Sequence, residues 1–90
     1  MAEFLKENDD GSVTVTLDKG LEINGAVIKV LTLREPSVAD QINAQKAHRT
    51  EADQEVALIA NLAEISPDDV HRLKLRDYRR VQVALVGFTS

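Results

Sequence analysis

Ile65-Ser66-Pro67-Asp68-Asp69-Val70-His71-Arg72-Leu73-Lys74-Leu75-Arg76-Asp77-Tyr78 carries the strongest helix-start signal in the chain. The Ser66 hydroxyl can cap the first turn. Pro67 lacks the N–H that a first helical residue leaves unused, and Asp68 and Asp69 set negative charge at the positive end of the helix dipole. Ile65, just ahead of the cap, is placed to pack on Val70 as a hydrophobic staple. The same proline opposes continuation of whatever helix precedes it. The stretch is therefore a corner between two apolar-periodic segments, Ala52 to Leu62 and Tyr78 to Phe88, and residues 52–88 read as a helical unit folded about it.

Upstream of the corner, Thr50 is placed to cap a helix whose stripe is Ala52, Val56, Ile59, Ala60 and Ala63, widened by Leu58 and Leu62. Before it, Pro36 ends a strand and Ser37 starts a short helix with Asp40 in its first turn, running to about Lys46 with Val38 and Ile42 on its apolar side. Downstream, a short helix from Pro67 to about Leu73 leads into a last helix from about Arg76. There Tyr78, Val81, Leu85 and Phe88 recur at helical spacing, and Val83 and Val86 make the rest unusually apolar.

The N-terminal third has a different period. Ser12 to Asp18 alternates polar and apolar, which predicts a half-buried strand with Val13, Val15 and Leu17 inward. Lys19-Gly20 allows a bulge, after which Leu21 and Ile23 resume the alternation. Asn24-Gly25 is a type I′ hairpin signal, because both residues tolerate positive φ. Ala26 to Arg34 returns as the second strand; its run Val27 to Leu33 is more apolar than alternation requires, which predicts a bulge near Val30-Leu31 or burial on both faces. Residues 1–12 read as a flexible tail with one helical turn at Glu3 to Lys6. The expected fold class is α+β: one domain over 13–90, with a β-hairpin at 13–34 followed by three to four short helices at 37–88.

Composition narrows the function. Ninety residues with only Phe4, Tyr78 and Phe88 as aromatics make a thin aliphatic core. Without cysteine there are no disulfides or thiolate metal sites. The N-terminal stretch has no apolar signal core, so secretion is not expected. Of the fifteen acidic residues only Asp77 follows position 70, whereas Arg72, Lys74, Arg76, Arg79 and Arg80 cluster there, in a chain of net charge −4. An acidic body argues against general nucleic-acid binding, and the cluster is more simply a solvated face or a set of partners for Glu51, Asp53, Glu55 and Glu64. His48 and His71 lie far apart with no metal-binding spacing. No phosphate-binding or nucleophile motif occurs, so neither a cofactor, a metal nor a catalytic role is expected. The apolar last helix is the remaining anomaly. Val81, Val83, Leu85, Val86 and Phe88 are the candidate partner-binding residues, either covered by the chain's own hairpin or left as a docking patch.

Thr32-Leu33-Arg34-Glu35-Pro36-Ser37-Val38-Ala39-Asp40, Glu55 to Leu62, and Ser66-Pro67-Asp68-Asp69-Val70 with Leu73, Leu75, Asp77 and Tyr78 together resemble, in order and spacing, the tail assembly chaperones of long-tailed bacteriophages. The group meant is the Mu-like family of small tail proteins encoded near the tape measure gene. The resemblance covers about residues 13–88. It departs at Ala63-Glu64-Ile65, where the family often has a glycine before the Ser-Pro corner, and over the first twelve residues, which have no counterpart. The resemblance implies a non-enzymatic protein that binds the hydrophobic tape measure protein in the bacterial host cytoplasm and keeps it soluble while the tail tube assembles. Such a protein is absent from the mature virion, and homo-oligomers are compatible with this role. Ending Gly87-Phe88-Thr89-Ser90, the sequence resembles the short form that many phages also extend by ribosomal frameshifting. The alternatives are a small regulatory nucleic-acid-binding module using the basic cluster, and a structural tail subunit.

Overall fold

Strand β2 (Val13–Ile23) is the centre of a three-stranded antiparallel sheet, with β1 (Leu5–Glu7) on one side and β3 (Ala26–Leu33) on the other, in a computed structural model that describes residues 2–89. Met1 and Ser90, the outer limits of the expected tail and domain, lie outside the described residues. Helices α1 (Val38–Ala47), α2 (Glu51–Ala63), α3 (Pro67–His71) and α4 (Leu75–Phe88) follow. The architecture is α+β, as the change of period predicts.

The alternation in β2 places Val13, Val15, Leu17 and Leu21 inward, where they meet Leu31 and Leu33 of β3. Ile59, Ala60 and Leu62 of α2, Val70 and Leu73 around α3, and Val81 and Ala84 of α4 complete one core on that face. The opposite face carries Thr14, Thr16 and Thr32 together with the exposed Val27 and Val30. Asn24 and Gly25 adopt φ of +52° and +83°, as the hairpin signal requires.

Three expectations are corrected. Residues 5–7, read within the tail and its helical turn, pair with β2 in the register Leu5↔Val15 to Glu7↔Val13. A strand of three residues with one apolar side chain is too short to show a period. The apolar run of β3 is explained neither by a bulge of its own nor by burial on both faces. The register break lies in β2, between Thr16 and Leu21, and Val27 and Val30 remain exposed. Helix α1 is rotated from its expected orientation: Val38 and Ile42 are exposed, and Asp40 and Ala44 face inward. Residues two apart on a helix lie about 200° apart, so burying Asp40 turns both neighbours out.

The corner behaves as its chemistry dictates. Ser66 and Asp69 form a reciprocal capping box: Asp69 N–H donates to Ser66 Oγ (3.1 Å) and Ser66 N–H to Asp69 Oδ2 (3.2 Å). The helix before it ends on Glu64, at φ +58° and ψ +42°. Ile65 N–H donates to Ala60 O (3.0 Å) and Glu64 N–H to Asn61 O (3.3 Å), the paired bonds of a Schellman motif. Glu64 thus occupies the left-handed position for which glycine is best suited, so the missing glycine does not abolish the stop. Glu64→Gly is expected to stabilise the fold by about 1 kcal/mol, read as a rise in the denaturation midpoint at unchanged slope.

Candidate partner interface

Helix α4 divides its residues among four environments. Its inward line is Asp77, Val81 and Ala84, all with essentially no exposed surface. Tyr78, Leu85 and Phe88 pack beside that line, half-buried. Val83 and Val86 are exposed (46% and 66%) on the outer side, in surface concavities shared with Arg79. The cations Arg76 and Arg80 face β2. The five candidate partner-binding residues therefore do not form one surface. Val81 is in the core with no surface to offer, Val83 and Val86 are on one side, and Leu85 and Phe88 are on another.

Leu85 and Phe88 line a groove of about 450 Å³ between the C-terminal half of α4 and helices α1 and α2. Pro36, Ala44 and Leu58 add to its apolar lining, together with the exposed Val38. The polar lining comes from Gln41, Gln45, Gln54, Glu51 and Glu55. The groove exists because α1 packs on α2, whereas α4 packs on β2, so α1 and the end of α4 flank a gap. Glu55 is fixed in this wall: the Tyr78 hydroxyl and Gln82 Nε2 (2.8 Å) both donate to its Oε1. Burial, followed by this bond and the nearby Glu55 charge, pushes the Tyr78 phenol well above its ordinary pKa, so it remains a donor.

The wall formed by α1 hangs on Asp40. Arg34 makes a two-pronged ion pair with it, Nη1 to Oδ2 at 2.7 Å and Nη2 to Oδ1 at 2.9 Å. Ser37 N–H donates to Oδ2 (2.8 Å) and Asn61 Nδ2 to Oδ1 (3.2 Å), joining the end of β3, the start of α1 and the end of α2. The Arg34 guanidinium, and then the Ser37 donors, hold the Asp40 carboxyl far below the usual carboxylate range. A depressed folded pKa gives stability that is present above the unfolded value near 4 and lost as pH falls below it. Acid titration followed by NMR is therefore expected to weaken the hold on α1 progressively below about pH 4, with full release only well below that value. In Asp40→Asn, α1 is expected to be loosened at neutral pH and to lose that response.

The basic cluster is largely spoken for. Arg72 Nη2 donates to Glu22 O (2.9 Å) and pairs with Asp69 (2.5 Å). Arg76 pairs with Asp18 at 3.3 Å. Arg80 donates to Thr16 O (2.8 Å) and stacks 4.8 Å from the centre of the Phe4 ring. The anchors are thus strand β2 and the α3 cap, not the α2 acids expected from sequence. Lys74 and Arg79 make no ion pair among the described residues. His48 and His71 remain apart, and no group of His, Asp and Glu among the described residues could hold a metal ion. No helix among them is long and apolar enough to cross a membrane.

Sequence reasoning missed the most constrained polar group. Asp77 accepts the backbone N–H groups of Asp18 (2.6 Å), Lys19 (3.0 Å) and Gly20 (3.1 Å), the residues of the β2 bulge. Lys29 Nζ reaches the carbonyls of Asp18 and Lys19 from the other side, at 3.5 Å each. The available signal was the isolation of Asp77 as the one acid in a basic segment, near the start of a helix.

The model of a family described as "Phage tail assembly chaperone proteins, E, or 41 or 14" matches residues 14–90. No curated protein and no solved structure matches the chain.

Proposed function

We propose, from the premise that this chain belongs to the phage tail assembly chaperone family, that it binds the tape measure protein and keeps it soluble while the tail tube assembles. The family match carries this reading, and it points to protein partners in tail assembly and to a non-enzymatic role. The surface is compatible with it: Val83 and Val86 are exposed side by side on the outer face of α4, and Leu85 and Phe88 line a groove on another. A net charge of −4 suits a carrier that must stay soluble while loaded. The protein then acts in the host cytoplasm and is left out of the finished virion. Nucleic-acid binding loses support because Arg72, Arg76 and Arg80 are engaged within the chain.

The test is co-expression with the neighbouring tape measure protein, followed by size-exclusion chromatography with light scattering. Co-elution, with the tape measure protein soluble only when this chain is present, is the expected result. Precipitation of the tape measure protein regardless of the chaperone would overturn the reading.

A further inference from the structure

We infer that the groove between α1, α2 and the end of α4 is the seat for the partner, and that its occupant is an amphipathic helix with lysine or arginine beside its apolar stripe. The inference rests on the chaperone role proposed above and names the surface and chemistry that would serve it. The floor is apolar, from Ala44, Leu58, Leu85 and Phe88, whereas the ionised groups of the lining are Glu51 and Glu55, with no lysine or arginine among them. The site therefore combines an apolar floor with negative charge on one wall. A cation is the complementary group.

Glu55 is suited to meet it. Its Oε1 already accepts from Tyr78 and Gln82, which orders the carboxylate, while Oε2 takes no bond among the described residues. An ordered anion loses less side-chain entropy on pairing than a free surface one. The walls are helices and their ends, so the groove offers no strand edge. A segment entering it must satisfy its own N–H and C=O groups, which a helix does and an extended chain does not. The outer α4 side is the opposite case: there Val83 neighbours Phe4, Arg76, Arg79 and Arg80, a basic surround that would repel the same ligand.

The experiment uses two synthetic peptides with one apolar helical stripe, flanked by lysines in one and glutamates in the other, titrated into the isotope-labelled full chain. The lysine peptide is expected to bind and to perturb the NMR signals of Ala44, Leu58 and Leu85. The glutamate peptide should bind roughly fivefold more weakly or not at all. Glu55→Gln keeps an acceptor for Tyr78 and Gln82 and should weaken the lysine peptide by a similar factor. Gln41→Lys with Gln45→Lys, both on the exposed side of α1, should do the same without touching the core. Equal binding of the two peptides, no binding of either, or perturbations confined to Val83 and Val86 would overturn the inference. The co-expression assay separates it from the parent reading. If the Gln41→Lys, Gln45→Lys chain still keeps the tape measure protein soluble, the groove is wrong and the role stands. If the unaltered chain cannot do so, the role itself fails.

Discussion

Replacing Asp77 with alanine is expected to lower the stability of the fold by about 3 kcal/mol, because three backbone N–H donors lose their acceptor at once. Each orphaned buried donor costs about 1–3 kcal/mol, and the total falls below the simple sum because Asp18 and Lys19 are exposed enough for water to reach them. For a domain of this size the change corresponds to a fall in Tm on the order of 15 °C, a large share of a total stability of roughly 5–10 kcal/mol. Asp77→Asn separates shape from acceptor chemistry. It fills the same volume but keeps only one acceptor oxygen and turns an amide donor toward N–H groups. It is expected to fall between wild type and Asp77→Ala in thermal and denaturant melts. If Asp77→Asn matched wild type, the bulge would not depend on a carboxylate.

The second large effect comes from the other side of the same bulge. Gly20 has φ +86°, and a Cβ there would lie 2.9 Å from Val27 Cγ1 and 3.1 Å from the carbonyl oxygen of Ile28. The side chain of Val27 can shift, but the Ile28 carbonyl belongs to the β2–β3 ladder. Gly20→Ala is therefore expected to cost about 2 kcal/mol, combining a left-handed backbone with a clash that only a ladder shift relieves. Because both substitutions act through one loop, they should not add. Once the bulge has left Asp77, the steric lesion has little left to strain. The double variant is expected to lose less than the sum of the two, which a double-mutant cycle in denaturant would measure.

What was legible in the sequence is what short-range chemistry determines. Ser66-Pro67-Asp68-Asp69 makes its cap within four residues, Asn24-Gly25 makes its turn within two, and the alternation from Val13 to Leu17 needs only a sheet to lie on. Asp77 could not be read in this way, because its partners lie 57 to 59 positions away and are backbone groups with no side-chain signature. Helix α1 misled for a related reason. Val38 and Ile42 form a plausible stripe, but the rotation of the helix is decided by Arg34 and Asn61 gripping Asp40. The Leu33-Arg34-Glu35-Pro36-Ser37-Val38-Ala39-Asp40 run thus carried its meaning as an ion pair across six positions, not as hydrophobicity. The candidate interface was half legible: periodicity identified α4 as too apolar for one face, but only the packing separates Val81 in the core from Leu85 and Phe88 in the groove. Glu55 was read as a partner for arginine, yet it is held by Tyr78 and Gln82, a pairing that depends on how α4 lies beside α2.

The way α1 is held bears on the groove it walls. The only buried residues this helix contributes are Asp40 and Ala44, so a polar clasp rather than hydrophobic packing keeps it against α2. Its detachment is therefore expected to be a local event that leaves the sheet, α2 and α4 folded. Amide exchange in α1 should therefore run through a lower-energy opening than exchange in α2 or α4, and should quicken in acid before the rest of the chain responds. Detachment of α1 would remove one wall of the groove and leave α2 and α4 to hold the remainder.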